Sequence, residues 1–445
     1  MPGNAETDCT GNADAPAVGP PAPCAKRRTV VGFFPFFDDL AESTRLVRIA
    51  SEYRALGGHP VFFSHGGHYE ALAVRDGLPV HRVEPIYTPE QVDELMKYDR
   101  MEKFGDPFPV GWLLEHVRNE CRAYAEHGVS LVVTGFNLPC SLSARNAGVP
   151  LAWILSGTSY APYFRAGVAT LPDIFQNRFA RILPERLTGW LTSLIMLRAR
   201  TGTRAFNTVA DQLGLPRFPA TLSLWTGDFN LVSDLREMLA LPPRHDYPEH
   251  DYIGPLLANL NLAVDEQIEA HLRRPGRHIY FAMGSSGEKA LYLRVLHALS
   301  RTGHNVIAAY TSILSEDEVP RLGEHVLLRR LVPAEQVNRM ADLAVLHGGQ
   351  GTIYTAAYAG KPVVGIPMQF EQQYNIDMLV RHGTAIRLSK ARFRERDLVA
   401  AINAILGDYQ NFGGRAAALA ARLPVVDGAR QGARRIREIV EQNTA

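Results

Sequence analysis

The stretch HGGQGTIYTAAYAGKPVVGIPMQFEQQYN, residues 347–375, constrains this chain more than any other. An apolar run, residues 343–346, ends in His347 and a glycine-rich turn, Gly348-Gly349-Gln350-Gly351. Thr352 then opens a helix-period segment that stops at Gly360-Lys361-Pro362. The pattern predicts a strand, a loop and a helix N-terminus, where backbone N–H groups and the positive end of the helix dipole collect an anion. Glycines let the backbone come close to that anion and tolerate positive φ. A second short strand, residues 363–366, carries the chain to Glu371-Gln372 on the same rim. A phosphate grip and a carboxylate–amide pair about one βαβ unit apart point to a sugar nucleotide.

On these residues the segment resembles the donor-binding signature of family 1 glycosyltransferases, in the bacterial natural-product branch of the GT-B fold. The positions that carry the resemblance are His347, Gly348, Gly349, Gly351, Thr352, Gly360, Pro362, Glu371, Gln372 and Asn375. The acidic position is usually Asp and is Glu371 here, which leaves open whether the sugar is glucose or a modified one. The resemblance implies a GT-B fold: two Rossmann-like, doubly wound parallel-sheet domains facing a cleft, with a C-terminal helix crossing back. It also implies an inverting transfer from a UDP- or TDP-sugar to a hydroxyl of a small-molecule acceptor, with no metal and no further cofactor. Alternatives on the same fold are a lipid or cell-wall glycosyltransferase, a nucleotide-sugar 2-epimerase, or a degenerate sugar-nucleotide-binding auxiliary of another transferase.

A length of 445 residues predicts at least two domains with a large buried core. With 47 basic and 46 acidic residues the formal net charge is +1, so no basic excess suggests a nucleic-acid partner. Cys9, Cys24, Cys121 and Cys140 form no CxxC pair and no zinc spacing, and reduced thiols are expected. No run of about eighteen apolar residues occurs, and the N-terminus lacks the apolar centre of a signal peptide. A cytoplasmic protein without an integral membrane segment is expected. Its oligomeric state is left open, a homodimer included.

Residues 1–27 are mostly Pro, Ala, Gly and small polar residues and predict a disordered tail. The expected acceptor-binding domain spans 28–245, the nucleotide-sugar domain 246–425, and the crossover helix 426–445. In the first domain the periodicity predicts strands at 28–34, 60–64, 131–134 and 151–155, with helices over 43–56 and 141–146. Residues 160–215 read as long and helical. In the second, strands are expected at 278–283, 306–310, 326–328, 343–346 and 363–366. Alternation of this kind builds open parallel sheets with ligands outside their carboxyl ends.

Three donor contacts follow. His347 would donate to a diphosphate oxygen. Gly284 and Ser285, in the turn after the strand at 278, suit a second approach to the diphosphate or sugar. Val332, before Pro333, falls where family members hold the base through the main chain. Glu371 and Gln372 would bind sugar hydroxyls. Many family members carry a His after the first strand as general base, oriented by an Asp on a later strand. Here the turn reads Phe36-Phe37-Asp38-Asp39-Leu40-Ala41-Glu42-Ser43, which puts Glu42 at the His position, and the Asp position falls near Gly135. A carboxylate base needs no partner to fix a tautomer, so the two losses are coherent, and a partly dry cleft would raise its pKa. The competing reading is a helix-start acid favoured by the dipole. Asp38 and Asp39 are the other carboxylates in reach. Phe104, Trp112 and Tyr160 lie in segments that resemble acceptor-pocket loops, and His65 and His68 are the fallback bases.

Overall fold

The computed structural model describes residues 29–99, 102–103, 105–176, 182–241, 251–257, 262–284, 287–310 and 313–444. The tail expected at 1–27 and the candidates Phe104 and Ser285 lie outside the described residues.

Two parallel sheets carry the chain, as the sequence predicts. The first has seven strands: β1 Val30–Phe33, β2 His59–Ser64, β3 Val80–Arg82, β4 Val129–Thr134, β5 Leu151–Leu155, β6 Phe229–Val232 and β7 Asp251–Tyr252. Their order is β3-β2-β1-β4-β5-β6-β7. The second has six: β8 His278–Ala282, β9 Asn305–Ala309, β10 Val326–Arg329, β11 Leu343–Leu346, β12 Val363–Gly365 and β13 Ala385–Arg387. Their order is β10-β9-β8-β11-β12-β13. Each sheet reverses its winding once, between β1 and β4 and between β8 and β11. Open α/β sheets bind ligands at these switch points, beyond the carboxyl ends of the strands.

The central strands are covered on both faces, which is why they read as continuous apolar runs. All five residues of β8 and all four of β11 are buried. Sequence periodicity missed β3, β6, β7 and β13, which are two to four residues long. Strand β7 pairs with β6 through Leu231–Asp251 and Val232–Tyr252, so the first sheet continues past the boundary expected at residue 245.

Helix Leu40–Ala55 starts where Asp39 accepts from the Ala41 and Glu42 N–H groups at 2.7 and 3.1 Å. Its inner face packs with the last helix, Gly428–Thr444, in one apolar cluster that includes Leu46, Ile49, Ala433, Ile436 and Ile439. The C-terminal helix of the second half thereby closes onto the first. It begins tightly: a Cβ on Gly428 would stand 2.5 Å from the carbonyl oxygens of Gly254 and Pro255 in the connecting segment.

A further cluster joins the two sheets' domains. Tyr163, Phe164, Leu235 and Met238 from the first share it with Ile353, Tyr354, Tyr374 and Met378 from the second. The Tyr163 and Phe164 rings lie 5.4 and 5.7 Å from that of Tyr374.

Candidate active site

The switch point of the second sheet brings two predicted residues together. Gly284 follows β8 and His347 follows β11, its parallel neighbour. A Cβ on Gly284 would stand 2.7 Å from His347 Nε2, and one on Gly349 would stand 2.5 Å from the same atom. Both positions must therefore be glycine for the ring to sit where it does; Gly284 also holds φ +60. The imidazole is buried, and its Nδ1 has no hydrogen-bond partner. Burial drives its pKa down to about 4. The ring is thus neutral at physiological pH, with a single N–H, and the Ala282 carbonyl nearby opposes the fall in its pKa.

Helix Gln350–Tyr358 starts beside that ring. Its N-cap is Gly349, and no side chain caps it. The sequence places the start at Thr352; it comes two residues earlier because Gly349 brings Gln350 and Gly351 into the first turn. A Cβ on Gly351 would meet nothing within 4 Å, so the backbone there borders open space. Thr352 Oγ1 donates to the Gly349 carbonyl at 2.8 Å and tightens that turn. Gly348, at φ +96, lies against the next helix: a Cβ there would stand 2.4 Å from the Gln372 carbonyl oxygen. An uncapped helix start, bare glycine backbone and a neutral imidazole together make an anion seat.

Helix Phe370–Arg381 carries Glu371 in its first turn, half-buried, with the buried Gln372 next to it. Gln372 Oε1 accepts from the Met368 N–H at 2.9 Å, which shapes the approach to the helix. Val332 is buried just ahead of Pro333 and helix Ala334–Met340.

The sequence reading did not foresee how the two domains meet at this seat. Asp234, fully buried two residues after β6, accepts from four donors. The Gly157 N–H (2.7 Å) and Ser156 Oγ (3.3 Å) come from its own domain. Gln350 Nε2 (3.1 Å) and the Tyr354 hydroxyl (2.8 Å) come from the donor-side helix. Burial raises the Asp234 carboxyl to about 6, with the charge of Glu371 adding to the rise, against the pull of these donors. Glu371 therefore lies within electrostatic reach of the junction. The Leu235 N–H donates to the Tyr354 hydroxyl at 2.9 Å, and Ser233 Oγ donates to Gln350 Oε1 at 3.2 Å. Thr158 Oγ1 donates to Asn375 Oδ1 at 2.8 Å, while Asn375 Nδ2 donates to the Gly348 carbonyl at 3.0 Å. The glycine loop is thus held from both sides of the cleft.

At the switch point of the first sheet stands Glu42. Its Oε2 accepts from the Phe36 N–H at 3.0 Å and its Oε1 from the Gly135 N–H at 2.9 Å. It ties the loop after β1 to the loop after β4. A side chain at position 135 would crowd it, since a Cβ there would stand 3.2 Å from Oε1. Burial raises its pKa to about 8, with the charge of Asp39 adding to the rise and the backbone donors opposing it. Asp39 is occupied as the helix cap, and Asp38 accepts from the His68 N–H at 3.0 Å.

Of the fallback bases, His65 is buried with both nitrogens engaged. Nδ1 lies 2.9 Å from the Val83 carbonyl and Nε2 lies 2.9 Å from Glu120 Oε1. Glu120 is fully buried and also receives bonds from Asn137 and Ser143. Burial pushes its carboxyl up, but the hydrogen bond and charge of His65, with the His116 charge and the Ser143 bond, hold it below the usual range. Trp112 lies on helix Val110–His127 rather than in a loop, with its ring 5.3 Å from Phe108 and 5.1 Å from Tyr87. Its indole N–H is buried without a partner. Tyr160 is packed in the same apolar cluster as Trp153 and Tyr124.

Among the described residues no group of three His, Cys, Asp or Glu side chains could hold a metal ion. No described helix is long and apolar enough to cross a membrane.

Comparison with known proteins sets the chain beside glycosyltransferases. The family model described as UDP-glucuronosyl and UDP-glucosyl transferase matches residues 197–412. The PGL/p-HBAD biosynthesis glycosyltransferase of Mycobacterium tuberculosis is 26% identical over 402 residues, covering 89% of this chain and 89% of that protein. Among solved structures, the glycosyltransferase of kitacinnamycin superposes with a TM-score of 0.65 at 19% identity, covering 94% of this chain and all of the other. The spinosyn rhamnosyltransferase complexed with thymidine diphosphate gives 0.58 at 15% identity, covering 92% of this chain and 100% of the other.

Proposed function

We propose that this chain is a glycosyltransferase of the family 1 type and that, on its GT-B fold, it moves a sugar from a nucleotide diphosphate to a hydroxyl of a small-molecule acceptor, inverting the anomeric carbon. One observation carries the donor half of this reading: the neutral imidazole of His347 clamped between Gly284 and Gly349 at an uncapped helix start. The diphosphate lies against that helix start and accepts from His347. As the bond to the sugar breaks, the negative charge grows on the diphosphate, where the helix start and His347 stabilise it. The base ring lies along the main chain at Val332. Glu371 and Gln372 hold the sugar hydroxyls.

On the acceptor side Glu42 takes the proton. It stands at the carboxyl ends of β1 and β4, and its carboxylate has lone pairs beyond those that the Phe36, Gly135 and Phe136 N–H groups use. The acceptor belongs, on this reading, to the small-molecule secondary metabolites. No further cofactor enters, and catalysis needs no metal.

Thermal shift against UDP, TDP and other nucleoside diphosphates tests the donor class. A ligand at 100 times its Kd stabilises by about 2.7 kcal/mol through mass action. Stabilisation by UDP or TDP is the expected result. A protein indifferent to all nucleoside diphosphates would overturn the reading.

A further inference from the structure

Helix Glu185–Arg198 packs Met196 and Leu197 on the apolar cluster beneath it, yet leaves a second apolar side facing water. The side facing the protein carries Thr188, Gly189, Thr192 and Ser193, all buried. The hydroxyls of Thr192 and Ser193 are buried there without a hydrogen-bond partner. The side facing out carries Leu187, Trp190, Leu191 and Ile195, all exposed, with Trp190 at 56% and Ile195 at 62%. Their spacing places them on one stripe of about three turns, with Leu183 just ahead and Arg198 at its end. The patch is not scattered apolar surface: of the 12 large apolar side chains exposed among the described residues, 7 fall between Phe175 and Ile195.

Close packing accounts for the small residues on the inner side but not for the apolar ones outside. Gly189 lies so near the segment beneath that a Cβ would stand 2.7 Å from the Ala169 carbonyl oxygen, so small residues are required underneath. Burying two unpartnered hydroxyls while a contiguous apolar stripe stays in water is unfavourable, and an apolar cover over the outer face would relieve it.

Charge selects the cover. From Glu185 to Arg204 the chain holds four arginines, Arg186, Arg198, Arg200 and Arg204, all exposed, against one acid, Glu185. This stands out in a chain whose net charge is +1. A second copy docking through the same stripe would set these arginines against each other. An anionic lipid surface takes both the apolar stripe and the arginine rim, with the Trp190 indole at the level of the headgroups. We propose that helix Glu185–Arg198 docks this protein, peripherally, on the surface of an anionic bilayer.

Co-sedimentation of the full chain with phosphatidylcholine vesicles, with and without phosphatidylglycerol, tests the idea. Binding to the anionic vesicles is expected, weakened by salt and by leaving out phosphatidylglycerol. The pair Trp190→Ser and Ile195→Ser should lower binding by at least about tenfold while the melting temperature holds. Arg186→Glu with Arg198→Glu, which leaves the apolar stripe intact, should weaken binding to anionic vesicles alone. The proposal is overturned by an absence of vesicle binding, or by variants that bind as well as wild type. It is equally overturned if light scattering shows a wild-type dimer that the apolar variants dissociate. None of these readouts depends on the donor assignment.

Discussion

Gln350 and Asp234 face each other across the boundary between the two sheets' domains, with the Gln350 amide donating to the Asp234 carboxylate at 3.1 Å. Gln350 belongs to the first turn of the helix that would receive the diphosphate, and Asp234 belongs to the other domain. Tyr354, one turn further along the same helix, donates to the same carboxylate and accepts from the Leu235 N–H. The start of helix Gln350–Tyr358 is therefore oriented by the domain of the first sheet.

Removing that tie should cost donor affinity. Asp234→Asn keeps the shape but replaces an acceptor with an amide that opposes one of its donors. A loss of about 5–30-fold in UDP or TDP affinity is expected, since one or two hydrogen bonds near 1 kcal/mol each are at stake. Tyr354→Phe should cost less, and the double variant should fall short of the sum, because both act through one carboxylate. Calorimetry on all three measures this; fully additive losses would mean that the two residues do not work as one clasp.

His347→Ala should weaken nucleoside diphosphate binding by about 5–150-fold, the equivalent of 1–3 kcal/mol, and leave the fold intact. Gly349→Ala should do much the same from outside the ring, because its Cβ would displace Nε2. The pH dependence has a definite sign. The folded-state pKa is depressed to about 4 from 6.5. Its contribution to stability is thus fully present above pH 6.5 and is lost as pH falls through 4. Wild type should lose melting temperature more steeply than His347→Gln over that window. Unchanged UDP and TDP affinity in His347→Ala would remove His347 from the donor site.

Glu371→Ala should discriminate between two ligands. Its half-buried carboxylate starts the helix beside the glycine loop, where the sugar rather than the nucleotide would reach it. Binding of the intact nucleotide sugar should suffer several-fold more than binding of the free nucleoside diphosphate. Equal losses for both ligands would place Glu371 away from the sugar.

Much of the donor half is legible in the sequence alone. The strands β8, β9 and β11 are buried on both faces and announce themselves as apolar runs, and the glycines around His347 are fixed by backbone clearances that no other residue meets. The cross-domain clasp is not legible in this way. Asp234 follows β6, a strand of four residues with two of them only half-buried, so neither its period nor its place near a sheet edge stands out. Gln350 reads as a loop residue because the apolar period sets the helix start two residues late. The buried pair His65–Glu120 depends on residues 55 apart that only the fold brings together.

Glu42 carries the riskiest expectation. Its carboxyl is held at about 8 by burial, at the carboxyl ends of β1 and β4. A base must be ionised to act, so turnover should climb with pH through about 8 and then level off. Glu42→Gln should lower turnover by about 10²–10⁴-fold, the usual range for a positioned base, and the residual activity should lose that alkaline rise. Donor affinity should stay near wild type. The folded-state pKa lies above the ordinary 4.5, so the group's contribution to stability is present below pH 4.5 and is lost as pH rises through about 8. The amide that Glu42→Gln introduces would set a donor against a backbone N–H, so the variant melts lower at acid pH, and the gap to wild type should narrow as pH climbs. Asp38→Asn and Asp39→Asn belong in the same series. Asp39→Asn should cost little turnover, since asparagine also caps helices. If Glu42→Gln turns over like wild type while Asp38→Asn does not, the proton goes to Asp38, whose carboxylate accepts from the His68 backbone N–H.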